Sequence, residues 1–540
     1  MSQIEDIISG NNEALQNFIS KNSQSFTFTN LNQDDGRKKL WNFLFNNLQN
    51  NTNICMTLTA IRILSRDKTE INAVITENGF KLLSCFANLH SKEIDSLNAD
   101  NFEIILESLK CLCNIIFNST TAQELCSKYN IVDYIINRLQ ICNKQKNIPY
   151  DIKYFDMKLL FLVTALNTNS RSYLRTELNG LKYLTDGIEE ILHECKQNGS
   201  LTEDGENQLS DNYVAYLCEV LKILFNITIK NSEKPTEGDE EIQYKRLVKL
   251  LRELLLKPAT NSAKKLELQS HIINLLTCIP QSTYIELCPK LNAQNNIPKN
   301  MTYQDYNMEA VYELLKYMKM KLELQPNAIG QQETLSPILS TLTRSVRSVR
   351  CIRKYIRLQI LPPLKEVHKR PEQGNTLRNY LCRLLTTPCS HVRDLTADFI
   401  FVLCKENVAR MIKYTGYGNA AGLFATRGLM DGRNTGTEFS SESEDSDTEI
   451  YKEYRHGINP VIGCYEKAHP DPTAHMTEEQ KEYEALQLVN LMDKLTRSGA
   501  IQPCRIEDGR PVPVEHVLQL QEEGGLKSEQ IRNYNKDDDD

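Results

Sequence analysis

The sequence contains few of the residues that interrupt long helices. Its 540 residues include one tryptophan, 18 prolines and 22 glycines, and such sparse punctuation favours long helices over many short strands. Hydrophobic residues make up 40% and charged residues 25% of the chain, which excludes a collagen-like, mucin-like or wholly disordered protein. We therefore expect a large, folded and mainly helical protein.

An excess of positive charge and a long apolar run are also missing. The formal net charge is −7, whereas general nucleic-acid binding requires a basic excess, so we expect no nucleic-acid partner. The first ten residues, MSQIEDIISG, lack the basic and apolar regions of a signal peptide. The longest clean apolar run, LLFLVTAL at 159–166, is far shorter than the ~18 residues that indicate a membrane span. These features predict a cytoplasmic protein without direct membrane insertion.

Recognisable metal-binding and catalytic motifs are lacking as well. The 16 cysteines are scattered through apolar helical patterns such as KCLCNII, which is typical of reduced core residues. The chain contains no four-ligand zinc spacing, no P-loop and no convincing nucleophile–base pair among its nine histidines. The stretch GYGNAAG at 416–422 has one residue too many for a dinucleotide motif, so we expect a tight inter-helix turn and a helix start. The protein is predicted to bind no metal or cofactor and not to be an enzyme.

A weak internal repeat is the most informative pattern that is present. Apolar residues of 109–116 follow the i, i+3, i+4, i+7 spacing of a helix stripe. The pattern apolar-x-Asn-apolar occurs at 112–115, 224–227 and 272–275. Because self-similar helices at such intervals mark stacked repeats and strand-like alternation is nowhere sustained, the predicted fold is an all-α solenoid.

Asparagines accompany the apolar stripes. On the first repeat helix, Asn114 and Asn118 lie opposite the apolar side at about 100° per residue. Such amides can hydrogen-bond the backbone of a bound guest. Alternatively, Asn114, Asn226 and Asn274 bind neighbouring loops or water, and the sequence leaves both interpretations open.

Positive charge is concentrated locally. One predicted helix carries six cationic residues: Arg344, Arg347, Arg350, Arg353, Lys354 and Arg357. Four of them fall within an arc of roughly 80°, and no Asp or Glu occurs between Glu333 and Glu366 to balance them locally. Arg62 and Arg66 form an i, i+4 pair on another predicted helix. These patterns favour a carboxylate-bearing peptide as partner, although a solvated face balanced by carboxylates elsewhere in the chain is the general alternative.

The composition changes after the helical part, which predicts four regions. Residues 1–430 form the solenoid, 431–475 an acidic, Ser-rich flexible linker, 476–499 a C-terminal amphipathic helix and 500–540 a polar, acidic tail. In the linker, Ser441 and Ser446 each precede an acidic residue by three positions, the pattern preferred by an acidophilic kinase of the casein kinase 2 type. Phosphates would add about −1.5 to −2 charges each; the alternative is an unmodified solubilising linker.

The last helix has consistent start and stop signals. Thr477 and Gln480 can form a capping box, and Gly499 can end the helix. Its apolar stripe consists of Leu488, Leu491, Met492 and Leu495. Such a helix either packs back on the solenoid or binds a partner.

The segment IKYTGYGNAAGLFATRGLM at 412–430 resembles the synembryn family, the resistance-to-inhibitors-of-cholinesterase proteins. AIRILSRDK, EVLKILFNITIK and MTEEQKEYEALQLVNLMDKL support the match, which spans approximately residues 55 to 498. The resemblance implies a cytoplasmic chaperone and guanine-nucleotide exchange factor for heterotrimeric G-protein α subunits (Gα), recruited through Gα to the cell cortex or plasma membrane. It also implies an armadillo/HEAT-like right-handed superhelical solenoid that captures the C-terminal helix of GDP-bound or nucleotide-free Gα.

The resemblance further implies roles for individual residues. Six positions match the family's groove contacts with the Gα C-terminal helix: Arg62, Arg66, Asn114, Arg350, Arg353 and Lys354. The last helix, with Leu488, Leu491, Met492 and Leu495, matches the segment that holds the Gα switch II region. Ser441 and Ser446 match the two activating phosphorylation positions. A rival function is an armadillo-type scaffold or transport adaptor that binds peptide segments, although arginine-rich groove positions disfavour a basic guest.

Overall fold

The structure is a computed structural model. It describes residues 2–31, 35–90, 99–142, 148–199, 208–229, 238–291, 297–324, 330–431, 448–467, 473 and 475–514. The chain divides into two compact units, Met1–Pro289 and Lys290–Asp540, and each is described by itself.

The first unit is built from helices, and an isolated β-bridge pairs Leu209 with Ala259 among its described residues. Short 3-10 turns lie at Thr29–Leu31, Ala99–Asn101 and Gln281–Leu287. The helices are α1 (Ser2–Ile8), α2 (Asn12–Asn22), α3 (Gly36–Gln49), α4 (Ile54–Leu64), α5 (Ile71–Val74), α6 (Glu77–Phe86), α7 (Phe102–Asn118), α8 (Thr120–Lys128), α9 (Ile131–Cys142), α10 (Tyr150–Leu166), α11 (Thr168–Thr176), α12 (Gly180–Gly199), α13 (Asp211–Thr228), α14 (Asp239–Leu256) and α15 (Ser262–Leu276).

Five helices of this unit form one continuous layer. The helices α4, α7, α10, α13 and α15 pack side by side in chain order, and α6, α9, α12 and α14 cover them as a second layer. Each helix of the first layer contributes a fully buried side chain to the core between the layers: Leu58, Leu112, Leu160, Leu221 and Ile272. Such nearest-neighbour stacking is the arrangement of armadillo/HEAT-like repeats, and the predicted all-α solenoid is confirmed.

The repeated sequence patterns fall on this first layer. Residues 112–115 lie in α7, 224–227 in α13 and 272–275 in α15, and the apolar run 159–166 lies in α10. Polar residues start several helices, because a side-chain oxygen can accept hydrogen bonds from the first free backbone N–H groups. Ser210 does so for α13 and Asn261 for α15.

A buried ion pair joins α9 to α10. Arg138 Nε donates to a carboxylate oxygen of Asp156 over 2.8 Å, and Arg138 Nη1 donates to the carbonyl of Ala87 over 2.7 Å. Both side chains are almost inaccessible to solvent. The removal of one partner would leave an uncompensated buried charge, so single substitutions at either residue are expected to be strongly destabilising.

The second unit combines helices with short antiparallel hairpins. Its helices are α16 (Glu309–Leu324), α17 (Gln331–Ser348), α18 (Arg350–Ile360), α19 (Leu377–Leu384), α20 (Ser390–Leu403), α21 (Val408–Thr415), α22 (Tyr417–Arg427), α23 (Glu449–Tyr454) and α24 (Glu478–Arg497), with 3-10 turns at Lys299–Met301 and Arg455–Gly457. Its strands are β1 (Thr302–Tyr303), β2 (Tyr306–Asn307), β3 (Ile458–Asn459), β4 (Cys464–Tyr465), β5 (Cys504–Glu507) and β6 (Arg510–Pro513), paired β1–β2, β3–β4 and β5–β6.

Helix α17 is central to this unit. It packs against α16, α18 and α20, and α20 also contacts α18, α19 and α22. Leu342, Ile356 and Phe399 are fully buried there. The hairpin β5–β6 lies in the region predicted as a polar tail, and β6 contacts α22; no strand was predicted there, because four-residue strands leave too short an alternation to recognise.

Two further sequence expectations concern composition. Most of the cysteines within the described residues are buried, in agreement with their predicted place in the core, and their reduced state stays a prediction. None of the helices in the described part of the chain is both long and apolar enough to cross a bilayer.

Candidate partner-binding surfaces

The first predicted surface lies at the C-terminal end of α4, where it contacts α7. Arg62 is half-buried, and its Nε donates to a carboxylate oxygen of Glu107 over 2.7 Å. Glu107 also accepts from Lys110 Nζ over 2.8 Å. Burial opposes ionisation of Glu107, but the hydrogen bonds from Lys110 and Arg62 outweigh it and hold the pKa of this carboxyl below its usual value. These two cations and one carboxylate carry a net positive charge.

Arg66 lies just beyond α4 and extends the same positive region. Its Nη1 donates to the main-chain carbonyl of Ser23 over 2.7 Å, and its guanidinium lies 5.4 Å from the centroid of the Phe26 ring. Burial, reinforced by repulsion from Arg62, lowers the pKa of Arg66. The Phe26 ring is 65% exposed, so this region offers an aromatic face beside two guanidinium groups.

The asparagines of the first layer bind the preceding helix. Asn114 Nδ2 donates to the carbonyl of Arg62 over 3.1 Å and to Ser65 Oγ over 3.2 Å. Asn118 Nδ2 donates to the carbonyl of Ser65 over 2.9 Å. These amides add donors to carbonyls at the end of α4, where backbone N–H partners run out; the Arg62 carbonyl also accepts from Ser65 Oγ over 2.8 Å. The side-chain nitrogen of Asn114 therefore already serves a contact within the protein, and its contact with a guest stays a prediction.

The same relation recurs along the layer, since Asn226 Nδ2 on α13 donates to Thr164 Oγ1 on α10 over 3.1 Å. The sequence reasoning missed the carboxylates of this face. A glutamate stands seven positions before each repeat asparagine, at Glu107, Glu219 and Glu267, two helical turns away on the same side. This periodic pairing of Glu with Asn is the signal that could have revealed them.

The second predicted surface lies on α18, and the sequence-based prediction of one continuous basic helix is wrong. The chain leaves helical geometry at Val349 (φ −121°, ψ 111°), so α17 ends at Ser348 and α18 begins at Arg350. The Val349 side chain is buried, and α18 packs on α20 after the break. Arg347 therefore belongs to a different helix from Arg350, and the predicted arc of Arg347, Arg350, Lys354 and Arg357 does not exist.

Within α18 the cations differ in exposure. Arg350 is exposed, Arg353 and Lys354 are half-buried, and Arg357 is buried. Arg353 Nη1 donates to the carbonyl of Val346 over 2.8 Å, and burial, followed by repulsion from Arg350, lowers the pKa of Arg353. We call Arg350, Arg353 and Lys354 the α18 surface. Sequence periodicity could not show that Arg357 points into the protein.

Helix α24 has the predicted ends. Thr477 Oγ1 accepts from the backbone N–H of Gln480, and the Gln480 side chain accepts from the backbone N–H of Thr477, which confirms the capping box. Gly499 follows in a left-handed conformation (φ 71°), which suits glycine because it has no Cβ.

The apolar stripe of α24 is not buried. Leu488 is 58%, Leu491 54% and Leu495 37% exposed, and Met492 is half-buried. No residue of this helix, which lies wholly within the described residues, is buried. An apolar stripe of this kind is typical of a surface that binds another molecule.

The chain is similar to known proteins over most of its length. A sequence model of the family described as guanine nucleotide exchange factor synembryn, Ric8, matches residues 57–510. The chain belongs to the synembryn family. It is 39% identical to "Chaperone Ric-8" of Drosophila pseudoobscura pseudoobscura, with 97% of each chain covered. It is 40% identical to "Chaperone Ric-8A" of Gallus gallus, with 94% of this chain and 93% of that protein covered. The crystal structure of SYS-1 covers 72% of this chain and 62% of its own, at 16% identity and a TM-score of 0.40.

The glycine motif that resembles the synembryn family forms the predicted turn and helix start. Gly416 links α21 to α22 with φ 76° and ψ 149°, a conformation open essentially only to glycine. The first N–H groups of α22, on Tyr417 and Gly418, donate to the carbonyls of Pro460 and Val461 over 2.8 and 2.9 Å. A Cβ at Gly416 would lie 3.0 Å from the Val461 oxygen. The motif in this synembryn-family chain therefore receives the β3–β4 hairpin by backbone contacts.

The two predicted phosphorylation positions, Ser441 and Ser446, lie outside the described residues. Their modification stays a prediction for this member of the synembryn family.

Proposed function

We propose that this protein is a receptor-independent guanine-nucleotide exchange factor and folding chaperone for Gα subunits. Its membership in the guanine nucleotide exchange factor synembryn family supports the exchange role, and relatives named as chaperones support the folding role. The observation that carries the proposal is the uncovered apolar stripe of α24 in a chain of this family. A helix of this kind supplies the apolar contact that an opened, nucleotide-free Gα requires.

The α18 surface is proposed to bind the C-terminal helix of Gα. Arg350 and Arg353 lie at the start of α18, where the helix dipole is positive, and no acidic residue occupies the first turn. Cations are unfavourable next to this positive end of the helix dipole. A carboxylate that binds here is therefore attracted both by the cationic side chains and by the helix end. Lys354 follows Arg350 by one turn and extends the anionic contact along the same side.

A second contact is proposed for the region of Arg62, Arg66 and Asn114. Glu107 holds Arg62 in a defined position, and the exposed Phe26 ring beside Arg66 adds apolar area. Such a combination of guanidinium, amide and aromatic groups suits an amphipathic helix that carries carboxylates. Arginine-rich contacts of this kind disfavour the rival function, a transport adaptor for basic peptides.

Nucleotide exchange then follows from competition for the Gα C-terminal helix. In Gα this helix supports the loop that holds the guanine ring, so its capture by another protein weakens GDP binding. GTP binding restores the helix to its own domain and releases the exchange factor. This is a negative coupling between two ligands, and it is reciprocal for equilibrium binding.

The α24 stripe is proposed to hold the switch II region of the emptied Gα while the nucleotide is absent. The same preference for incompletely folded Gα would make the protein a folding chaperone. Phosphorylation of Ser441 and Ser446 by a kinase of the casein kinase 2 type is proposed to increase activity by adding negative charge to the linker. Binding to Gα is expected to bring the protein to the cell cortex.

A GDP-release assay on purified Gα tests this proposal. The full chain should accelerate release from intact Gα, and it should neither bind nor act on Gα that lacks its C-terminal helix. Binding that is independent of this helix would contradict the mechanism. Retention of basic import peptides in place of Gα would support the scaffold or transport adaptor instead.

The contribution of α24 is separable within the same assay. Leu488→Asp combined with Leu491→Asp should reduce retention of nucleotide-free Gα. Leu486→Asp is the matched control, because Leu486 is also exposed, at 61%, and lies on the opposite side of α24 at 100° per residue. Equal loss in both variants would refute a specific role for the stripe.

A further inference from the structure

Three side chains with metal-binding chemistry meet between α13 and α15. Cys218 lies on α13, and Glu267 and His271 lie one turn apart on α15. One ligand atom from each residue, the thiol sulfur, a carboxylate oxygen and an imidazole nitrogen, lies within 4.8 Å of the other two. The spacing of Glu267 and His271 at i, i+4 places both on one side of α15, facing the α13 residue.

The burial of the three groups defines a shallow site. Cys218 is 3% exposed, His271 is half-buried and Glu267 is exposed. The thiol therefore forms the floor, and the carboxylate lies at the solvent side. A metal held by these three ligands would keep a fourth position open to water, as is usual where a protein supplies only three ligands to zinc.

Two lysines lie near the three groups, and each is paired with a carboxylate. Lys264 Nζ donates to Glu267 Oε2 over 2.9 Å. Lys222 is held by Glu219 over 2.7 Å and lies 4.3 Å from the centroid of the Phe161 ring. The imidazole of His271 can offer one ring nitrogen to a metal in its neutral form. Zinc is bound by the thiolate form of cysteine, so binding at Cys218 displaces the thiol proton.

We propose that Cys218, Glu267 and His271 form a zinc-binding site. Sulfur, imidazole and carboxylate together suit Zn²⁺ better than Mg²⁺ or Ca²⁺, which prefer oxygen ligands. In a tetrahedral site with metal–ligand distances of 2.0–2.3 Å, the ligand atoms are about 3.5 Å apart. A side-chain adjustment of about 1 Å reaches this spacing. The sequence alone does not reveal the site, because about fifty residues separate Cys218 from the helical pair.

Cobalt substitution in the full-length protein tests the proposal. After reduction and removal of metals by a chelator, titration with Co²⁺ should produce a thiolate-to-cobalt charge-transfer band and the visible bands of four-coordinate cobalt at one equivalent. Zn²⁺ should then abolish both sets of bands. Cys218→Ser should remove the charge-transfer band, and Glu267→Gln and His271→Gln should each weaken binding at least about tenfold.

Two controls keep the test specific. Cys504→Ser removes an exposed thiol of the second unit and should leave the titration unchanged. Since Cys218 is buried and its variant can lose stability, the more accessible Glu267 and His271 variants, checked by thermal melting, carry the decision independently. The absence of bands in the wild type, bands that persist without Cys218, or wild-type affinity in His271→Gln would each overturn the proposal.

Discussion

Replacement of Arg350 and Lys354 by glutamate should weaken binding of the Gα C-terminal helix without weakening the fold of α18. Arg350 is the first residue of α18, and an acidic residue at that position interacts favourably with the helix dipole by about 0.3–1 kcal/mol. Repulsion between positions 350 and 354 exists in both proteins, since both residues change sign together. Thermal melting of the double variant beside the wild type checks that a loss of binding does not come from a destabilised helix.

The magnitude follows from the exposure of the two residues. Two unit charges about 4 Å apart interact by about 1 kcal/mol in water and about 4 kcal/mol near a protein surface. Arg350 is exposed and Lys354 is half-buried. The interaction energy of Arg350 with a Gα carboxylate is therefore expected near the lower value, and that of Lys354 nearer the upper value. Charge reversal also replaces attraction by repulsion. We expect a loss of about 2 kcal/mol or more, which corresponds to about a 30-fold higher Kd.

Fluorescence anisotropy with a labelled peptide of the Gα C-terminal helix measures this change. The difference between wild type and variant should shrink as salt concentration rises, because exposed charges are screened. Arg393→Glu is a matched control: Arg393 lies in the first turn of α20, and its side chain is 42% exposed. An unchanged Kd in the double variant, or an equal loss in Arg393→Glu, would refute the assignment of the α18 surface.

Three further predictions follow. Ser441→Ala/Ser446→Ala should remove the gain in GDP-release or chaperone activity that kinase treatment produces; equal rates for the phosphorylated wild type and the variant would contradict this role. Glu107→Gln should lower the free energy of unfolding by about 1–2 kcal/mol at pH 7. Because the pKa of Glu107 is lowered in the folded state, the ionised carboxylate stabilises the protein above about pH 4.3, and this contribution is lost as pH falls through the folded pKa. In urea unfolding, the free energies of the wild type and the variant should therefore converge in acid. A difference in unfolding free energy that does not change with pH would refute the pairing. Gly416→Ala should destabilise the second unit by about 1–3 kcal/mol. Gly422→Ala is the control: the residue is exposed on a helix and an added Cβ would meet no neighbouring atom, so it should stabilise the unit by up to about 1 kcal/mol. Melting temperatures that shift in the same direction for both variants would count against the strained turn.

The features that were predicted correctly depend on neighbours within one or two helical turns. The capping box of Thr477 and Gln480 requires residues three apart. The stacked helices of 109–116 and 272–275 follow from apolar spacing along one helix. The turn at Gly416 follows from a glycine-rich link between two helices.

The features that were missed depend on packing between distant segments. Residues 344–357 contain no proline or glycine, so no local signal ends the helix at Ser348. At the break Val349 is buried, and after it α18 packs on α20. Arg357, which the sequence pattern had assigned to the basic arc, is buried as well.

By itself, the sequence determined the helical class, the repeated units, the ends of α24 and, through the glycine motif, membership in a family. These properties are local or are carried by contiguous residues. Only the tertiary structure decided that Asn114 binds the end of α4, that Glu107 pairs with Arg62, and that Cys218 meets His271. The physical reason is that each of these contacts joins residues about fifty positions apart, and the stacking of one repeat on the next sets which side chains meet.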